Sequence, residues 1–317
     1  LDTEQKPIKS GYGAQTTAEA VAAGLDLRGK LVVVTGGYAG IGLETVRVLS
    51  KAGASVIVGA RDMKKAKAAL SNIGSVELLP LDLAEPESID RFAAEVLGAH
   101  KAIHVLINNA GVMAIPLTRD RRGYEMQFAV NHLGHFQLTT RLWDALKRAS
   151  HSRVVALSSF GHRRSPVHLD DPNFERRPYD KWMGYGQSKT ANVLFAVEAD
   201  RRGKADGIRA FALHPGRIPG TDLGRHMTEE DLKVVGITRE NGVFKGPNLK
   251  TIEQGAATTV WCAVSPQLEG KGGVYCADCD ISAVIPDDGQ DSAGVLRWAI
   301  DKPMARALWD LSEKLTA

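Results

Sequence analysis

Leu31-Val32-Val33-Val34-Thr35-Gly36-Gly37-Tyr38-Ala39-Gly40-Ile41-Gly42 is the stretch on which the fold turns. Four β-favouring apolar residues in a row, with no polar alternation, read as a strand buried on both faces. The run passes directly into a T-G-x-x-x-G-x-G turn, and a helix pattern continues to about residue 52. Glycines in such a turn let backbone N–H groups approach a pyrophosphate, and the helix that follows offers its positive N-terminal end. The spacing differs from G-x-G-x-x-G by the place of the middle glycine. A tight strand-to-helix turn that binds nothing would use similar residues. Its place in the first βα unit points instead to dinucleotide binding.

Outward from this unit, strand and helix patterns alternate. Strands are expected at 55–59, 76–81, 103–107, 153–157, 208–213 and 273–275, with helices at 63–70, 86–97, 123–149, 182–202 and 251–264. Such alternation demands parallel strands joined by right-handed crossovers. The expected architecture is a single-domain, Rossmann-type, doubly wound parallel α/β sheet of about seven strands with helices on both faces. Residues 1–28 are polar, with a short helical pattern at 17–24, and read as an N-terminal arm lying on the domain 29–317. Sheets of this kind bind ligands at the carboxyl ends of their strands. The polar clusters Asn108-Asn109-Ala110-Gly111, Ser158-Ser159 and His214-Pro215-Gly216 all follow directly on an expected strand.

Bulk composition narrows the function classes. The 317 residues are 44% hydrophobic and 24% charged, ordinary for a globular protein. The net charge of +3 comes without a basic block or aromatic–basic alternation, which argues against a nucleic-acid partner. No apolar run approaches the ~18 residues of a membrane span, and the first thirty residues lack a signal-peptide core. The expectation is a cytoplasmic protein without a membrane span, a homo-oligomer being compatible with it. The chain starts at leucine, so further residues or a leader upstream are compatible too. The three cysteines, Cys262, Cys276 and Cys279, argue against a disulfide framework. Cys276 and Cys279 have C-x-x-C spacing, but no second ligand pair accompanies them, so no metal site is expected.

The chemistry centres on Tyr185-Gly186-Gln187-Ser188-Lys189. A tyrosine and a lysine four apart on a helix share one face. A nearby ammonium favours the phenolate and draws its pKa from about 10 toward neutrality. A phenol so tuned can exchange a proton at physiological pH, as interconversion of an alcohol and a carbonyl requires. The spacing alone is common. Its weight comes from the company it keeps.

Strand two ends in Gly59-Ala60-Arg61-Asp62, about twenty residues past the glycine turn, where NAD sites place an acid for the ribose 2′-hydroxyl. Gly59 and Ala60 carry none. Arg61 follows, with Lys64 and Lys65 nearby, and a guanidinium suits a 2′-phosphate. Asp62 stands one residue too late. NADP(H) is therefore expected over NAD(H).

Taken together, residues 35–42, residues 108–111, Asn131, Ser159, Tyr185 and Lys189 resemble the short-chain dehydrogenase/reductase family from about residue 28 onward. Within it, Arg61-Asp62-Met63, Asn131-His132-Leu133-Gly134-His135-Phe136, the run from Ser188 to Phe195 and Tyr275-Cys276-Ala277-Asp278-Cys279 resemble the retinol dehydrogenase and WW-domain oxidoreductase-like branch. The resemblance implies Tyr185 as acid/base and Lys189 as ribose ligand that lowers the tyrosine pKa. It also implies Ser159 as hydrogen-bond partner of the substrate oxygen and Asn131 as holder of a proton-relay water. Its implied cofactor contacts are Gly36, Tyr38, Ala39, Gly40, Ile41 and Gly42 in the turn, Arg61, and Asp82 with Leu83 after strand three, Asp82 touching adenine. Asn109, Ala110 and Gly111, then Pro215, Gly216, Ile218 and Thr221, complete the set with Tyr185 and Lys189.

Elementary patterning supports part of this. Asn131, Gly134, Leu138 and Leu142 form a helical stripe expected to face the sheet, where a polar residue must find a partner. His132 and His135 lack a third ligand and read as packing residues. Three features depart from the family pattern. Gly37-Tyr38-Ala39 stands where the branch carries Ala, Asn and a small or polar residue. The spacing from Pro215 to Thr221 is one residue longer than usual. The apolar anchor of membrane-bound retinol dehydrogenases is absent from the sequence, which weakens the case for a retinoid. The activity expected is hydride transfer between a nicotinamide and the carbonyl or secondary-alcohol carbon of a small, largely apolar substrate, with residues 160–183 and 222–250 shaping the pocket. A cofactor-retaining epimerase or lyase, and a non-catalytic NADP-binding regulator, are the alternatives.

Overall fold

The computed structural model describes residues 2–225, 227–287 and 293–317; Leu1 in the N-terminal segment and His226 in the segment 222–250 lie outside it. In chain order the first half comprises α1 (Ala18–Ala22), β1 (Leu31–Thr35), α2 (Gly40–Lys51), β2 (Ser55–Ala60), α3 (Met63–Leu70), β3 (Val76–Pro80), α4 (Pro86–Ala99) and β4 (Val105–Asn108). Next come α5 (Met126–Phe128), a π-turn (Ala129–Leu133), α6 (Gly134–Arg141), α7 (Trp143–Arg148), β5 (Ser152–Leu157), α8 (Lys181–Gly203) and β6 (Ile208–His214). The remainder is α9 (Glu229–Val234), β7 (Thr238–Glu240), β8 (Val243–Lys245), α10 (Ile252–Val264), β9 (Val274–Ala277), β10 (Asp280–Ile281), β11 (Val284–Ile285), β12 (Val295–Leu296) and α11 (Lys302–Leu315).

Eight strands form the main sheet in the order β10-β9-β6-β5-β4-β1-β2-β3, parallel throughout except for β10. The strand order reverses between β1 and β4, which opens a crevice at their carboxyl ends. Alternation within each strand sorts side chains to two faces. Val32, Val34, Val56 and Val58 pack with Val260 and Trp261 of α10 on one side. Val33, Ile57, Leu106 and Val154 pack with Phe92 of α4 and Phe195 of α8 on the other.

The sheet has one strand more than the seven expected. After β9, Asp278 and Cys279 both adopt left-handed φ (52° and 59°) and turn the chain into antiparallel β10. Such two-residue turns usually advertise themselves with glycine or asparagine, and this one does not. The helix expected at 123–149 starts later and is broken. Gly123 is left-handed (φ 89°), and the Glu125 carboxylate caps the true start by accepting from Gln127 and Phe128 N–H at 3.0 and 2.7 Å. The stripe of Asn131, Leu138 and Leu142 is fully buried as expected.

The N-terminal residues pack against the edge of the sheet. The Gln5 amide donates to Tyr275 O and accepts from Tyr275 N–H, both at 2.8 Å, and so acts as a one-residue strand on β9. The Asp280 carboxylate accepts from Ile8 and Ser10 N–H. Helix α11, absent from the sequence reading, covers α8. Trp309 stacks on Phe195 with centroids 5.9 Å apart and meets Phe136 edge-on at 4.8 Å. The three cysteines are buried thiols, and among the described residues no group of three His, Cys, Asp or Glu could hold a metal ion. No helix among them is long and apolar enough to cross a membrane.

Four histidines are buried in this core. Loss of solvation pushes His132 and His214 down to about 3, and His135 and His162 down to about 4. Their folded values lie below the unfolded value of about 6.5, so between 6.5 and 4 the unfolded chain binds the extra protons. Stability is therefore full above pH 6.5 and lost as pH falls, by about 1.4 kcal/mol per pH unit for each histidine. Urea unfolding at pH 7.5 and pH 5 should show a markedly lower midpoint at pH 5. Equal midpoints would contradict the burial of neutral imidazoles.

Candidate active site

Helix α8 starts sharply because the Asp180 carboxylate accepts from Trp182 and Met183 N–H. It then runs deep through the protein, with Tyr185 and Lys189 each 4% exposed. The carboxyl end of β5 fixes its position. Leu157 O accepts from Lys189 Nζ and Asn192 Nδ2, both at 3.0 Å, and Ser158 Oγ donates to Lys189 O at 2.7 Å. Ser159 follows, its hydroxyl accepting from Gly161 N–H at 3.0 Å; a Cβ on Gly161 would lie 2.8 Å from Tyr185 Cε1 and 3.4 Å from Ser159 Oγ, so the serine and the tyrosine ring border the same glycine. Lys189 Nζ lies 5.6 Å from the Tyr185 ring centroid. The expected triad of Ser159, Tyr185 and Lys189 is thus brought together.

Burial dominates the electrostatics of these two groups. It pushes the Tyr185 phenol up to about 12, against the opposing pull of the nearby Ser159 hydroxyl. It pushes the Lys189 ammonium down to about 8. The fall in phenol pKa anticipated from the four-residue spacing is therefore not a property of this pair alone: the lysine nitrogen is spent on Leu157 O rather than on the phenol.

Asn131 lies beside this pair, but its amide is otherwise occupied. Its Oδ1 accepts from Val112 N–H at 2.8 Å, while Nδ2 donates to Val112 O and Ser188 Oγ, each at 2.9 Å. The side chain thus clamps the segment after β4 onto α8. A Cβ added to Gly111 would fall 3.0 Å from Asn131 Oδ1 and 3.6 Å from Lys189 Nζ, so that turn closes directly over the pair.

The glycine-rich turn lies at the neighbouring strand end. Gly36 and Gly40 have φ of +65° and +52°, which only glycine adopts readily. Ala39 occupies the cap position of α2 with no side-chain cap, and leaves the first N–H groups of the helix for a ligand. Gly42 packs so tightly that a Cβ would lie 2.6 Å from Gly36 O and 2.5 Å from Asn109 Nδ2. Asn109 in turn donates to Thr35 O at 2.8 Å. Ile41 and Tyr38 rest partly buried on the core, and Ala110 does so on the opposite face of the sheet. Thr221 reaches this turn, its Cγ2 3.4 Å from where a Gly40 Cβ would stand. Gly216 is left-handed (φ 102°) beside Lys250, and Ile218 packs against Gly255, so the stretch from Pro215 to Thr221 runs along the same edge.

At the far end, Arg61 is exposed, and Lys65 pairs with Asp222. Asp62 is the N-cap of α3, its carboxylate accepting from Lys65 N–H at 2.9 Å. Half-buried Asp82 accepts from Ala84 N–H, and buried Leu83 meets Gly134, where a Cβ would lie 2.4 Å from Leu83 O. An extended dinucleotide fits this edge: an uncapped helix end, a cradle that Cβ atoms would fill, and basic residues at one end.

Three side chains to which the sequence reading gave no role in the site also contribute. Thr35 Oγ1 accepts from Asn109 and Ala110 N–H at 2.9 and 3.0 Å. His135 contacts Thr35 Oγ1 at 2.8 Å and Asn131 O at 3.0 Å. His214 Nδ1 accepts from Phe160 N–H at 3.1 Å and so orients the turn after Ser159. The four-residue spacing of Asn131 and His135 was the available signal.

Comparison with known proteins identifies the family. Residues 30–232 match the family model described as short chain dehydrogenase. A Streptomyces lividans protein named "Probable oxidoreductase" is 44% identical over 293 residues, covering 90% of this chain and 97% of that one. Human retinol dehydrogenase 14 is 36% identical over 306 residues, covering 90% and 86%. A crystal structure of an uncharacterised Mycobacterium paratuberculosis protein superimposes with a TM-score of 0.71 at 35% identity, covering 93% and 96%.

The close approach at Gly42 is directly testable. Gly42→Ala should destabilise the protein by about 1–3 kcal/mol, the usual cost of overpacking. A denaturant midpoint equal to wild type would show that the turn has room the structure denies it.

Proposed function

Because the chain belongs to the short-chain dehydrogenase/reductase family, we propose that it is an NADP-dependent oxidoreductase acting on a carbonyl or secondary alcohol of a small, largely apolar molecule. One observation carries this reading: Ser159 and the Tyr185 ring both border Gly161 at the end of β5, with Lys189 beside the tyrosine and the uncapped start of α2 on the same sheet edge.

A nicotinamide cofactor, when bound, supplies or accepts the hydride. Everything else falls to the chain. The Gly36–Gly42 turn and the first N–H groups of α2 would hold the pyrophosphate. The turn of Asn109, Ala110 and Gly111, with Lys189, would hold the nicotinamide ribose, and Asp82 and Leu83 the adenine. Pro215, Gly216, Ile218 and Thr221 would line the other wall. Ser159 Oγ holds the substrate oxygen. In the reductive direction Tyr185 gives its proton to that oxygen as the carbon gains hydride. A phenol held near 12 is protonated at neutral pH, as that donor must be. In the oxidative direction the same oxygen takes the proton back, and the Lys189 charge eases formation of the phenolate. Asn131 braces the turn of Gly111 against α8, and a relay water would have to use a group other than its amide. Residues 160–183 and 222–250 would shape the substrate pocket.

The preference for NADP rests on Arg61 and on Asp62 being engaged as a helix cap rather than standing at the strand end. Losing one charge-assisted phosphate contact costs about 1.5–3 kcal/mol, roughly tenfold to a hundredfold. Titration should find NADP bound more tightly than NAD, with the gap closing in Arg61→Ala. Equal affinities in the wild type would defeat this part of the reading.

Tyr185→Phe removes the proton donor and should lower turnover at least ~100-fold while leaving cofactor affinity nearly intact. Lys189→Ala should reduce both. The double variant should be scarcely slower than the slower single one, because groups that act as a unit lose activity non-additively. Near-normal turnover in Tyr185→Phe would sink the assignment.

A further inference from the structure

The imidazole of His135 is buried between the two halves of the site, and both ring nitrogens are engaged. Nδ1 lies 3.0 Å from Asn131 O and Nε2 lies 2.8 Å from Thr35 Oγ1. A carbonyl can only accept, so Nδ1 carries the hydrogen and Nε2 is the bare nitrogen. Thr35 must then donate its hydroxyl hydrogen to Nε2. That leaves both lone pairs of Thr35 Oγ1 for the N–H groups of Asn109 and Ala110, which approach at 2.9 and 3.0 Å. Every donor and acceptor in this chain is used, and each hydrogen has one consistent direction.

The chain joins two elements that the Asn131 amide also ties through Val112. One end is the turn after β4, whose Gly111 closes over Asn131 and Lys189. The other is the π-turn at Ala129–Leu133, marked by Gly134 N–H reaching Ala129 O, which carries Asn131. Single π-turns recur at functional positions in helices. We propose that His135 is a positioning residue: through Thr35 it sets the Asn109–Gly111 turn, and through Asn131 O it sets the Asn131 amide that meets α8 beside Lys189. This inference rests on the oxidoreductase reading, since its consequence is the relative placement of the cofactor ribose and the proton donor.

The test uses His135→Phe, Thr35→Val, the double variant and Thr35→Ser, with Tyr185→Phe as control. His135→Phe should lower kcat about tenfold to a hundredfold, the scale of a small misplacement of reacting groups. KM for the carbonyl substrate should stay within about twofold. Thr35→Val should reproduce the loss, the double variant should add little, and Thr35→Ser, which keeps the hydroxyl, should restore most of the rate. Should His135→Phe fail to fold, the valine and serine variants at Thr35 carry the comparison. Independently of turnover, ring ¹⁵N shifts of wild-type His135 should show the Nδ1–H tautomer. Full kcat in His135→Phe alongside loss in Tyr185→Phe would overturn this inference alone, as would an Nε2–H tautomer. Full rate in Tyr185→Phe would overturn the reading on which it rests.

Discussion

The carbonyl oxygen of Leu157 is the point on which the site depends. It ends a parallel strand whose neighbours already satisfy the ladder, so its remaining capacity is free for α8. Lys189 Nζ and Asn192 Nδ2 both take it. A lysine buried to 4% exposure would be strongly disfavoured without such an acceptor, and burial still pulls its pKa down to about 8. The bond therefore does two things at once. It locks the rotation of α8 so that Tyr185 meets Ser159, and it holds an ammonium in a place where water would otherwise compete for it.

The parallel sheet supplies the second constraint. All strands except β10 run the same way, so Thr35, Asn109, Ser159 and His214 reach one edge without special design. The packing behind that edge is apolar and continuous. The segment 222–250 is attached to it both by polar contacts, exposed Lys65 with Asp222, Lys181 with buried Asp231 at 2.6 Å and Arg164 with Val234 O at 3.1 Å, and by burial of Leu232 and Ile237. An exposed ion pair such as Lys65 with Asp222 contributes only ~0–1 kcal/mol.

Much of this was legible in the sequence, and the reasons are specific. The unbroken apolar run Leu31 to Val34 and its successors announce doubly buried strands, because both faces must be apolar. Glycines at 36, 40 and 42 and the pair Tyr185/Lys189 stand out because their chemistry is local. What escaped notice was encoded between distant residues. The β9–β10 turn uses Asp278 and Cys279 where a glycine would have signalled it. The cap that starts α5 is a glutamate, Glu125, and the break in that helix is a π-turn that no residue type predicts. His135 reads as a packing residue until Thr35, a hundred positions away, is brought to within 2.8 Å of it. The Asn131 amide, expected to face a water, is consumed by Val112 and Ser188, and only the folded geometry of the turn after β4 could reveal that.

Whether hydride leaves the cofactor for the substrate carbon decides the function. Deuterium placed on the transferable C4 position of NADPH gives the most direct reading, with a ketone substrate and mass spectrometry of the product. The account predicts one deuterium on the new carbinol carbon of each product molecule, with one NADPH oxidised for each alcohol formed. Product formed without deuterium, or with no net oxidation of NADPH, would contradict it.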